Sequence, residues 1–80
     1  METLQILVRD TNDRAKGLRP ISVERDASGE MMSLEYAGDH YHFSRTGTNI
    51  ATNKPMVEFA ARGNALRLWV AEDLSFAQED

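Results

Sequence analysis

Both histidines of this chain stand two residues apart, in Gly38-Asp39-His40-Tyr41-His42-Phe43-Ser44-Arg45. An aspartate precedes them, so metal binding and acid–base catalysis are the chemistries these residue types would support. In a strand, His40 and His42 share one side, about 7 Å apart. A zinc site would need a third ligand, and with no cysteine and no third histidine it would have to be a carboxylate such as Glu35 or Asp39. Tyr41 and Phe43 alternate with the histidines, so the spacing is equally that of a half-buried strand with His40 and His42 on its wet side. The half-buried strand accounts for both histidines with no further ligand. It leaves a metal- or histidine-dependent enzyme as a third-ranked function. Ser44 has no nucleophile-elbow sequence around it. Thr46-Gly47-Thr48-Asn49 lacks the glycine spacing and lysine of a phosphate loop. No catalytic residue, metal or cofactor is therefore assigned.

The elements that would carry these residues are mostly strands. Leu4, Ile6 and Val8 alternate with polar neighbours, as do Ile21 and Val23, then Met32, Leu34 and Tyr36, then Tyr41 and Phe43. Asp26-Ala27-Ser28-Gly29 and Ala37-Gly38-Asp39 supply tight turns between them. Residues 10 to 19 are polar and read as a loop, with room for one helical turn over 12 to 16. Residues 46 to 55 read as a second long loop, of the kind that often binds. Val57 and Phe59, then Leu66, Leu68 and Val70, alternate on either side of Gly63-Asn64, which suits a hairpin. The fold expected is mainly β, a small antiparallel meander or partly closed barrel of five to six strands. The alternative is an α+β fold with a helix at about 56–74.

The 80 residues are expected to form one small domain, residues 1–80, with 72–80 an acidic C-terminal tail. The net charge is -4, but Glu72, Asp73, Glu79 and Asp80 account for it; residues 1 to 71 hold nine acids and nine bases. The 41 % hydrophobic content belongs to an ordinary globular chain. The absence of cysteine fits a reducing compartment, no apolar run is long enough to span a bilayer, and no secretory signal is read at Met1. A cytoplasmic protein without a membrane partner is expected.

Three surfaces are candidates for binding. Arg67 and Trp69 fall on the face opposite Leu66, Leu68 and Val70, and an outward tryptophan beside an arginine is the composition of an interface hot spot. Leu7, on the polar side of the first strand, would extend that face if its strand were adjacent. Thr48, Asn49 and Lys54 lie in the second long loop. Arg9, Arg14, Lys16, Arg19 and Arg25 outnumber the acids of residues 9 to 25 by two, a pattern that would suit single-stranded nucleic acid if aromatics were exposed beside it. The function expected is a non-enzymatic protein-binding module, of the scale of an accessory or inhibitory protein of a phage or mobile element that acts on a host protein complex. Nucleic-acid binding through residues 9–25 is the alternative, and unpaired sheet edges admit a homodimer.

Overall fold

The computed structural model describes residues 2–12, 14–50, 52–71 and 76–79. Seven strands follow in chain order: β1 Glu2–Arg9, β2 Ala15–Arg25, β3 Met31–Tyr36, β4 Asp39–Asn49, β5 Lys54–Ala61, β6 Leu66–Ala71 and β7 Phe76–Glu79. Each pairs antiparallel with the next, and β7 then lies parallel to β1, so the sheet closes on itself. The ring is not a regular barrel. The ladder between β3 and β4 stops at Ser33–His42, although β4 continues to Asn49.

The turns explain the register. Ala37 and Gly38 both have positive φ, 53° and 83°, as a two-residue hairpin requires, and they set Tyr36 opposite Asp39. At the β2–β3 turn the Asp26 carboxylate accepts the N–H of Ser28 and of Glu30 and the Ser28 hydroxyl. These bonds do locally what a longer ladder would do, and they hold the Asp26 carboxyl below its ordinary value. Asp10 works in the same way at the β1–β2 turn, accepting from Arg14 and Asn12.

Period two then fills the ring. Ile6, Val8, Ile21, Val23, Leu34, Tyr36, Tyr41, Phe59, Leu68 and Val70 point inward and are buried together with Ala61 and Ala77. No helix is present among the described residues, so none there could cross a membrane. The helix considered at 56–74 is replaced by β5 and β6, whose inward residues alternate and whose turn uses positive φ at Arg62, Gly63 and Asn64.

The mainly β antiparallel meander expected from the sequence is the fold observed, with seven strands among the described residues where five to six were expected. Three boundaries need correction. The loop read at 10–19 is half strand, since β2 begins at Ala15 and pairs with β1 from there; no helical turn spans 12 to 16. The loop read at 46–55 shrinks to residues 50 to 53, because β4 and β5 pair as far as Asn49–Lys54. Of the acidic tail, Phe76–Glu79 is the closing strand, while residues 72 to 75 and Asp80 lie outside the described residues.

Glu79 fastens this closing strand to the far side of one end of the ring. Lys16 Nζ of β2 donates to its Oε2 at 2.6 Å, and the Tyr36 hydroxyl of β3 donates to its Oε1 at 2.8 Å. Burial by itself would push the Glu79 carboxyl up. The Lys16 ammonium and the Tyr36 hydroxyl outweigh it and hold the group below its ordinary 4.5. Burial, and then the bond to Glu79, pushes the Tyr36 phenol up to about 12.

These shifts fix the pH dependence. Glu79 has its lower value in the folded state, so its contribution is complete above 4.5 and lost as pH falls through that lower value. Tyr36 has its higher value in the folded state, so its contribution is complete below 10.0 and lost as pH rises toward about 12. Thermal melts of wild type, Glu79→Gln and Tyr36→Phe across both ranges test this. Glu79→Gln should flatten the acid limb and Tyr36→Phe the alkaline limb; variants whose curves run parallel to wild type would show that neither group couples to folding.

Candidate functional site

The outer surface of β4, β5 and β6 carries a polar–aromatic cluster. Arg45 is in register with Glu58, and Glu58 with Trp69, so the three side chains stand side by side across three strands. Arg45 donates from Nε and Nη2 to Glu58 Oε2, both at 3.4 Å. Its guanidinium carbon also lies 5.3 Å from the centroid of the Trp69 ring, within reach of a cation–π attraction. Glu58 is only 3 % exposed despite its place on the outside of the ring. A buried carboxylate is costly unless paired, and Arg45 is the partner that supplies the charge.

Gly47 makes this arrangement fit. Its partner in β5 is Met56, two pairs along from Arg45–Glu58 and so on the same face, and the six-membered ring of Trp69 lies across it. A Cβ at this position would come within 2.8 Å of Trp69 Cζ3. The requirement is for space, not for unusual backbone angles. Beside the indole lies a shallow depression of about 300 Å³, lined among others by Thr48, Asn49, Met56, Trp69 and Gln78.

The residues singled out from the sequence distribute as follows. Thr48, Asn49 and Trp69 come together around that depression. Lys54 is opposite Asn49 at the end of the β4–β5 hairpin, and Arg67 shares the outer face with Trp69, opposite Ala60. Leu7 is not beside Trp69. β7 intervenes, and Leu7 is flanked instead by Leu18 and Phe76, which form an apolar row across β2, β1 and β7. Leu18 is 64 % exposed.

His40 and His42 lie on the exposed side of β4. His40 Nδ1 is 3.6 Å from Glu35 Oε1, too far for a hydrogen bond. Asp39 accepts from Arg62 Nε at 2.8 Å. Among the described residues no three His, Asp or Glu side chains are grouped to hold a metal ion. The basic residues are spread along the β1–β2 hairpin. Arg9 lies opposite Ala15 and Gln78, Arg14 precedes β2, and Arg19 donates to the carbonyl of Leu18. Lys16 is held by Glu79, and Arg25 by Glu2 at 2.8 Å.

Arg45 and Glu58 were missed from sequence, each for a definite reason. Continuing the alternation from Tyr41 and Phe43 sends Arg45 inward, but a bulge between Phe43 and Arg45 turns it outward. Glu58, between Val57 and Phe59, reads as an ordinary solvent-facing acid. Comparison with protein-family models, with curated proteins and with solved structures gives no match.

The space above Gly47 gives a direct test. Gly47→Val should displace the indole and separate it from Arg45, at a cost of about 1–3 kcal/mol as for other overpacked positions. Urea unfolding monitored by Trp69 fluorescence reads both effects. An unchanged midpoint and an unchanged emission maximum would mean that the indole is not confined by Gly47.

Proposed function

We propose that this protein is a non-enzymatic protein-binding module whose docking surface is the outer face of β4, β5 and β6, centred on Trp69. The observation that carries the reading is a tryptophan placed outside the ring yet held in one position, with Gly47 on one side and Arg45 beside it. Binding through such a residue loses little side-chain freedom, because the indole is already ordered. Tryptophan and arginine are the side chains most often found at the energetic centre of protein interfaces. Thr48, Asn49, Arg67 and Lys54 surround it with polar groups, as the rim of an interface does. A small accessory or inhibitory protein of a phage or mobile element, acting on a host protein complex, is the setting this reading favours.

Affinity capture from native lysate with nuclease treatment, followed by mass spectrometry, identifies the partner. Trp69→Ala should then weaken binding of the purified partner by about 2 kcal/mol or more, roughly 30-fold. Arg67→Glu should weaken it while leaving the protein folded, as a cooperative thermal melt checks. Full binding by both variants would move the surface elsewhere. Retention that disappears with nuclease would transfer the reading to Arg9, Arg14, Lys16 and Arg19 and predict a steep salt dependence.

A further inference from the structure

The geometry points to a second docking element: the edge of β4 from Phe43 to Thr48 accepts an extended peptide strand from a partner protein, with one apolar side chain of that strand seated in the cleft beside it. This inference rests on the protein-binding reading and assigns it a second surface and a chemical class of ligand.

The edge is open because β3 is short. β4 pairs with β3 only from Asp39 to His42, and among the described residues the ladder goes no further. Beyond the bulge, β4 pairs with β5 alone. Pro55, opposite Thr48, has no N–H, so Thr48–Pro55 sits where the two residues do not exchange bonds. By alternation Gly47 and Arg45 bond to β5, while Thr46 and Thr48 turn their N–H and C=O groups toward the open side. Thr46 and Thr48 are both exposed.

This edge differs from the other one that β3 leaves uncovered. β2 also runs past β3, from Ala15 to Ile21. That stretch contains Lys16, Pro20 and Gly17 at φ 98°, features that discourage strand addition. Phe43-Ser44-Arg45-Thr46-Gly47-Thr48 has no proline, lysine or acid. Its one charge, Arg45, is drawn onto the outer face by Glu58 and Trp69.

The cleft beside the edge supplies the second half of the site. It measures about 600 Å³ and is lined mainly by Met31, Met32, Phe43, Val57 and Phe59, with Arg25 and Glu30 also contributing. Phe43 is 45 % and Met32 50 % exposed. In strand addition, main-chain bonds provide affinity and pockets for alternate side chains provide selectivity. Here the open main-chain groups and the largely apolar cleft adjoin, since Thr46 belongs to both.

A second copy of this chain fits less well. Antiparallel self-pairing about Thr46 would set Arg45 against Gly47 and Phe43 against Asn49, bringing no apolar side chain to the cleft. Self-pairing about Arg45 would set two like charges opposite each other. The ligand is therefore a different segment: extended, free of proline at the bonding positions, and apolar at the residue facing the cleft.

A displayed library of random decapeptides, selected on the immobilised full chain, tests the proposal. Selected peptides should carry an apolar residue flanked by strand-forming residues. Backbone N-methylation of a selected peptide should weaken binding at least tenfold at one set of alternate positions and leave it unchanged at the other. This readout uses the wild-type protein and so does not depend on any variant folding. Thr46→Pro and Met32→Glu should each weaken binding at least tenfold, and Leu18→Ser, at an exposed position of β2 away from this edge, should not. An empty selection, N-methyl sensitivity without alternation, or peptides lost with Trp69→Ala but not with Thr46→Pro would overturn the edge proposal. So would sedimentation showing a wild-type dimer that Thr46→Pro converts to monomer, because the edge would then belong to a second copy. Loss of partner binding in Trp69→Ala and Arg67→Glu is read separately, so the binding-module reading stands or falls without this result.

Discussion

β7 is four residues long and lies between β6 and β1, antiparallel to one and parallel to the other. The parallel pairing follows from number. Directions alternate along a meander, so a seventh strand runs the same way as the first and can close the ring only in parallel. Without β7, β1 and β6 would present two long open edges, and Val8 and Val70 would lose Ala77 as a neighbour. The small Ala77 side chain, fully buried between those valines, allows the ring to be drawn tight at this point. Glu79, tied to Lys16 and Tyr36, holds the end of the strand in place.

Closure by so few strands also decides where binding can occur. The interior is filled by Phe59, Leu68, Ile6 and the inward residues around them, as in other small rings whose side chains meet at the centre. On the reading proposed above, the binding surface therefore lies on the outside. Trp69 and Glu58 show what this requires. The outer face of β4, β5 and β6 becomes a second packed layer in which Met56, Glu58, Ala60 and Ala71 are buried although they point away from the core. A carboxylate in that layer needs Arg45, Arg45 needs the bulge, and the indole needs the missing side chain of Gly47. The cluster is a set of mutually dependent positions, which explains why it is ordered on a surface.

Much of this was legible in the sequence where one side of a strand is wet and the other is buried. Ile21 and Val23, Leu34 and Tyr36, Leu68 and Val70 all declared their faces by period two, and Gly63-Asn64 marked a hairpin where helix formers lay nearby. Legibility failed where burial does not alternate. The first half of β2 is exposed on both sides, so Ala15 to Pro20 looks like a loop. The far half of β4 is in the same position, which gives Thr46 to Asn49 the look of a loop in the sequence. Of the site itself, Trp69, Thr48 and Asn49 were visible as outward or loop residues. Their convergence depended on pairing between distant strands, and Arg45 depended on a one-residue bulge that no alternation rule anticipates. Phe76 to Glu79 carried acidic character that pointed to a tail, whereas the acid at Glu79 is a fastening.

Strand length connects these points. β2 and β4 are each eleven residues long and β3, between them, only six, so the ring cannot be closed at every level. At the Tyr36–Asp39 end the three strands are brought together by the two-residue turn and by Glu79. Toward the other end β4 leaves β3 after Ser33–His42 and follows β5 alone. The bulge that turns Arg45 out to Glu58 and Trp69 lies just past that last pair, beside the cleft at Phe43. That one inserted residue puts Arg45 and Gly47 on the packed outer face, while Thr46 and Thr48 run along the side of β4 that β3 is too short to reach.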